Sequence, residues 1–213
     1  MKVFLSVGAT YSEAQERFVG AFESFLSQNS CERLTVGRGN YSARQPILEA
    51  RDLMEAADAV VVLAFTRLEV KKAVDKADSP EAKEVKNTRY PTIWNQLEAA
   101  MAFGLKIPLL VIVEQGLHQE AMLKDRLEFR ALTTPLDPGY FATSEFKGIF
   151  ADFKRIAIER AQSTERSRPH TASLTVGELV RDLRPDQIWK TVAAVAGLLA
   201  AIATAAYWVG KHL

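Results

Sequence analysis

A chain of 213 residues with 48% apolar residues has room for one ordinary domain with its own core, plus an appendage. Lys and Arg number 27 against 26 Asp and Glu, so no global field recruits nucleic acid, and nucleic acid is not an expected partner. The single cysteine, Cys31, excludes an intrachain disulfide, and with three scattered histidines no metal site is expected; a reducing cytosol suits such a chain.

The N-terminal run KVFLSV (2–7) reads as a first strand, too short for a signal peptide. Gly8 and a turn follow, then Ser12 with Gln15 three residues on, the spacing of a helix N-terminal capping box. The predicted helix carries Phe18, Phe22, Phe25 and Leu26 on one face, and a brief strand RLTV (33–36) leads into the loop GRGNYSAR (37–44). Pro46 opens a second helix with Ile47, Leu48, Met54 and Ala57 in register. The continuous apolar run AVVVLAF (59–65) is the pattern of a strand buried on both faces.

Segment 66–90 is long for a connection in a compact domain and rich in Lys, Glu and Asp, which suggests a lid, an assembly surface or disorder. A helix (91–104) and another buried strand, IPLLVIV (107–113), complete the alternation. Beyond them the pattern predicts a helix over about 117–128, an edge strand near Ala131, and a last amphipathic helix with Phe146, Ile149, Phe150, Phe153 and Ile156. Strands alternating with helices at this spacing imply an α/β fold: a doubly wound, flavodoxin-like parallel sheet over residues 1–162.

The C-terminal part has a different composition. STERSRPHTAS (163–173) reads as a polar linker, and 174–187 as a short amphipathic juxtamembrane helix with Val176, Leu179, Val180 and Leu183 on one face. Residues 188–210 include an uncharged stretch from Thr191 to Gly210. As a helix rising about 1.5 Å per residue this stretch would cross roughly 30 Å, the thickness of bilayer hydrocarbon. Trp189 at one end and Tyr207 and Trp208 at the other suit the headgroup region, and a stretch ending so near the terminus reads as a tail anchor. Arg181, Arg184 and Lys190 then place the globular part on the cytoplasmic side of a single-pass inner-membrane protein. Ala193, Gly197, Ala201 and Ala205 share one face and suit close helix–helix packing, so a homo-oligomer is expected.

In a sheet of this kind ligands bind beyond the carboxyl ends of the strands, which directs attention to loops 8–12, 37–44 and 66–90. No GxGxxG or GxxxxGK[ST] sequence is present. Loop 37–44 offers Arg38, Tyr41 and Arg44 beside two glycines as candidate phosphate and ring contacts. Trp94 and Glu98 lie one helical turn apart at the start of the helix after the central strand, with both side chains expected at the crevice mouth.

Here the chain resembles a TIR (Toll/interleukin-1 receptor) domain of the enzymatic kind found in bacterial defence proteins and in the animal TIR enzyme of axon degeneration. The resemblance covers about residues 2–160: VFLSV beside the family's VFISY, a loop at 37–44 in the place of its BB loop, ADAVVVLAF, and WNQLEAAMAFGLKIPLLVIV. The last stretch aligns Trp94, Glu98, Gly104 and Ile107 without a gap. The resemblance implies Glu98 as the catalytic carboxylate of an NAD-cleaving N-glycosyl hydrolase in defence or stress, with NAD as substrate rather than cofactor. Trp94 would form an apolar wall below Glu98, and Gly8, Arg38, Tyr41 and Arg44 would contact substrate. The family's arginines after the first strand are absent, since the chain reads VGATYSE. Two alternatives remain at this point: a non-catalytic TIR-like scaffold or nucleotide-signal sensor at the membrane, and an enzyme like the nucleoside deoxyribosyltransferases, which share the layout and also use one helix-borne glutamate.

Overall fold

The alternating runs resolve into a five-stranded, wholly parallel sheet with helices on both faces, seen in a computed structural model that describes residues 1–36 and 45–167. Arg38, Tyr41 and Arg44, the amphipathic segment 174–187 and the apolar segment 188–210 lie outside the described residues. In chain order the elements are β1 (Lys2–Val7), α1 (Glu13–Gln28), β2 (Glu32–Leu34), α2 (Pro46–Glu55), β3 (Ala59–Ala64), β4 (Leu68–Asp75) and β5 (Lys83–Tyr90). They continue with α3 (Ile93–Gly104), β6 (Leu109–Glu114), β7 (Arg130–Thr134) and α4 (Ser144–Ser167). The sheet order is β2-β1-β3-β6-β7, with Phe4 beside Val60 and Val62 beside Val111 fixing the central register.

Strand alternation sorts the core into two layers. Val3, Leu5, Val61, Leu63 and Ile112 face α1 and α4 through a cluster of Phe18, Phe22, Phe25, Phe146 and Phe150. Phe141, in a 3₁₀ turn over Pro138–Ala142, lies 4.6 Å from Phe18 and 5.0 Å from Phe146 between ring centroids. Phe4, Val60, Val62, Val111 and Val113 face the other way, onto Ala50 and Met54 of α2 and Ala99 and Ala102 of α3. The helix starts follow their capping residues: the Ser12 hydroxyl accepts from the Gln15 amide at 3.2 Å, and Pro46 sits in the first turn of α2. The expected edge strand near Ala131 is β7, at the sheet margin.

Three expectations need correction. Segment 66–90 is not disordered: β4 and β5 pair antiparallel from Leu68 with Tyr90 to Asp75 with Lys83. The hairpin is exposed along most of its length and is held at its base. Arg67 N–H donates to the Tyr90 carbonyl at 2.8 Å, and the Arg89 guanidinium donates to Glu114 at 3.0 Å and to the Gln115 carbonyl at 2.5 Å. The helix expected over 117–128 is absent. Gly116 turns the chain at φ +82, Leu117 and Leu123 are buried, and only Ala121–Leu123 form a 3₁₀ turn. The Gln96 side chain donates to the Glu120 carbonyl and accepts from the Met122 amide, each at 3.0 Å, so α3 supplies hydrogen bonds that helical neighbours would otherwise make. Helix α4 runs on to Ser167, so the first residues of the expected linker 163–173 are helical. Among the described residues no helix is long and apolar enough to cross a membrane.

Candidate functional site

Helix α3 begins at Thr92, whose hydroxyl accepts from the Trp94 amide at 3.3 Å. Its first turn packs against the loop after β1 at Gly8, where a Cβ would stand 3.0 Å from Thr92 Cγ2. Glycine therefore lets the two segments approach, and the approach closes one wall of a cleft. Another wall is Phe65–Arg67, directly beyond β3. This tripeptide is fixed through its backbone: Thr66 N–H donates to Glu114 at 2.7 Å, the Thr66 carbonyl accepts from the Gln15 side chain at 3.2 Å, and Arg67 N–H is held by Tyr90.

The cleft so formed has a volume of about 530 Å³ and opens at the carboxyl ends of β1 and β3. From β1 the chain passes to α1 on one face of the sheet, and from β3 to α3 on the other. The cleft therefore occupies the topological switch point, where open α/β sheets bind their ligands.

Glu98 lines this cleft, partly buried. Burial pushes its carboxyl above the ordinary value of 4.5, and hydrogen bonding from the Ser6 side chain opposes the shift only in part. No ion pair involves Glu98 among the described residues. Asn95, one turn before it and 1% exposed, donates from Nδ2 to the Leu63 carbonyl at 3.2 Å and to Ser6 Oγ at 3.4 Å. Its Oδ1 has no partner among the described residues, and neither has the hydroxyl of Thr66, which is 8% exposed. Both residues line the cleft. Arg67 also lines it, from an exposed position, and its guanidinium makes no ion pair or side-chain hydrogen bond among the described residues.

The structure thus brings Gly8, Trp94 and Glu98 of the expected site residues into one cleft. Trp94 lines the cleft and is 41% exposed, which places it toward the rim. Sequence reasoning missed Ser6, Thr66, Arg67 and Asn95. The available signal was positional: Thr66 and Arg67 directly follow the buried run of the central strand, and Asn95 lies three residues before Glu98 on the same helical side.

No family model matches the chain, and no curated protein matches it. Among solved structures, a conserved protein from Enterococcus faecalis V583 aligns at 15% identity and a TM-score of 0.33, covering 56% of this chain and 67% of its own. FerB, a flavoenzyme NAD(P)H:(acceptor) oxidoreductase from Paracoccus denitrificans, aligns at 13% identity and a TM-score of 0.31, covering 54% of this chain and 59% of its own. At such TM-scores neither neighbour assigns an activity to the cleft.

Proposed function

We propose that residues 1–162 form a TIR-like domain whose switch-point cleft hydrolyses the nicotinamide–ribose bond of NAD or a closely related nucleotide. The observation that carries this reading is Glu98: a carboxylate without a counter-ion among the described residues, partly buried in a cleft at the carboxyl edge of a parallel sheet. Most glycosidases need two carboxyl groups because the leaving oxygen must be protonated. In NAD the nicotinamide nitrogen is already cationic, so the base departs neutral and no general acid is required. Positive charge then builds on the ribose, where the Glu98 carboxylate stabilises it. Water adds at the anomeric carbon and releases its proton to solvent, leaving ADP-ribose and nicotinamide.

The C-terminal segment 188–210 tethers the domain to the cytoplasmic face of a membrane, and self-association raises its local concentration. The reaction is tested by incubating full-length protein with NAD and measuring released nicotinamide beside Glu98→Gln. Absence of release at any protein density, or release that Glu98→Gln leaves within about twofold of wild type, overturns the assignment. The Arg67 guanidinium, without a partner among the described residues, suits a nucleotide-signal sensor equally well; nucleotide binding without nicotinamide release would select that reading.

A further inference from the structure

The other arginines whose side chains are described are engaged. They pair with carboxylates, as Arg33 does with Glu23 and Arg89 with Glu114, or with carbonyl oxygens, as Arg160 does with Lys106. Arg67 alone among them carries a free guanidinium, and it lines the cleft. Its position is not loose, because its own amide is bonded to Tyr90 and the preceding residue is held by Glu114 and Gln15. Next to it the Thr66 hydroxyl is buried without a partner, which costs about 1–3 kcal/mol unless something fills that role.

The cleft is therefore divided by hydrogen-bonding character. Toward solvent stands a cationic donor, Arg67. Deeper lies an acceptor, the Glu98 carboxylate, and behind the cleft surface the buried Asn95 Oδ1 is without a partner among the described residues. Phosphate is an acceptor of hydrogen bonds and an anion, and sugar hydroxyls are donors. We infer that Arg67 is a phosphate contact and that the ligand is a 5′-phosphorylated nucleoside or dinucleotide. Its ribose faces Glu98, and its phosphate rests against Arg67. The orientation rests on the glycosidic reading of Glu98; the phosphate contact does not. It supplies the cation expected from Arg38 or Arg44 from a different strand end, and it separates this cleft from one built for unphosphorylated nucleosides.

The test uses two probes that differ only in the 5′-phosphate, nicotinamide mononucleotide and nicotinamide riboside. Calorimetric titration is made on full-length Glu98→Gln, which removes the charge assigned to cleavage, with and without Arg67→Gln or Arg67→Lys. The mononucleotide is expected to bind about tenfold more tightly than the riboside, a preference that Arg67→Gln abolishes and Arg67→Lys keeps in part. The preference in the Arg67-containing chain should also fall as NaCl is raised, a readout that needs no second variant. Equal affinity for the two probes, no binding of either, a preference unchanged by Arg67→Gln, or one insensitive to salt overturns the inference. A phosphate preference that depends on Arg67 in a protein that releases no nicotinamide from NAD upholds the contact and removes the glycosidic reading.

Discussion

Replacing Glu98 by glutamine should weaken the chemistry and strengthen the fold, and the two effects have one cause. Glutamine keeps the size and the hydrogen-bonding capacity of the side chain but cannot stabilise a cationic ribose, a loss of about 3 kcal/mol or about 100-fold in rate. The stability effect follows from the raised pKa. Burial makes the folded protein hold the Glu98 proton more tightly than the unfolded chain does. The contribution of Glu98 to stability is therefore fully present below the ordinary value of 4.5 and is lost as pH rises through the folded pKa. Above the folded pKa the ionised carboxylate opposes folding, and glutamine removes that opposition. If relief of the buried charge is worth about 1 kcal/mol, Tm rises by about 2–4 °C for a chain of this size. Near pH 4 both side chains are neutral and the melting curves should approach one another. Thermal denaturation of both proteins at the two pH values, beside nicotinamide release from NAD, measures every part. A Tm at pH 7.5 that is equal to or below wild type, or a gap that persists at pH 4, would refute the assignment of a strained, ionised carboxylate.

Three further outcomes are expected. Ser6→Ala removes the hydrogen bond that holds the Glu98 pKa down, so the acidic limb of the rate–pH profile should move to higher pH; an unmoved limb means that Glu98 is not the titrating group. Arg89→Ala leaves Glu114, 11% exposed, without its cation and frees the base of the hairpin, which should cost about 2 kcal/mol or about 4–8 °C in Tm, while Arg89→Ala combined with Glu114→Gln recovers part of the loss. If the double variant melts no higher than the single one, the pair is not what holds the hairpin. Deleting residues 189–213 should move the protein from the membrane fraction to the soluble fraction, and full-length protein already soluble without detergent would end the tether proposal.

The parallel sheet was legible because its strands are buried on both faces. AVVVLAF and IPLLVIV have no polar residue to interrupt them, and the segments between carry apolar side chains at helical spacing with Ser12 or Pro46 at the start. The hairpin was not legible for the converse reason. LEVKKAVD and KEVKNTRY place charges on both faces, and no buried face forces a regular alternation. What holds the hairpin is a set of contacts with sequence-distant groups at Glu114, Gln115 and His118, to which no local pattern points. The missing helix after residue 116 has a similar origin, since the Gln96 side chain satisfies backbone groups from another element.

The site divides along the same line. Glu98 and Trp94 could be singled out from the sequence because their spacing resembles that of a known family. Arg67, Thr66 and Asn95 could not, because their significance lies in what they do not touch. Asn95 reads as an ordinary polar residue in a helix until its Nδ2 is found bonded to Leu63 and Ser6 and its Oδ1 to nothing. The contrast inside Phe65–Arg67 is the stronger argument. Gln15, Glu114 and Tyr90, drawn from three elements, fix the backbone of this short segment, yet the two polar side chains it carries are left without partners among the described residues. A loop ordered only for stability would be expected to satisfy its buried hydroxyl as well, since leaving it unpaired costs about as much as one good hydrogen bond supplies. Rigid placement of unsatisfied groups around a carboxylate that has no ion-pair partner among the described residues is what preorganised ligand binding requires, because the ordering is complete before the ligand arrives.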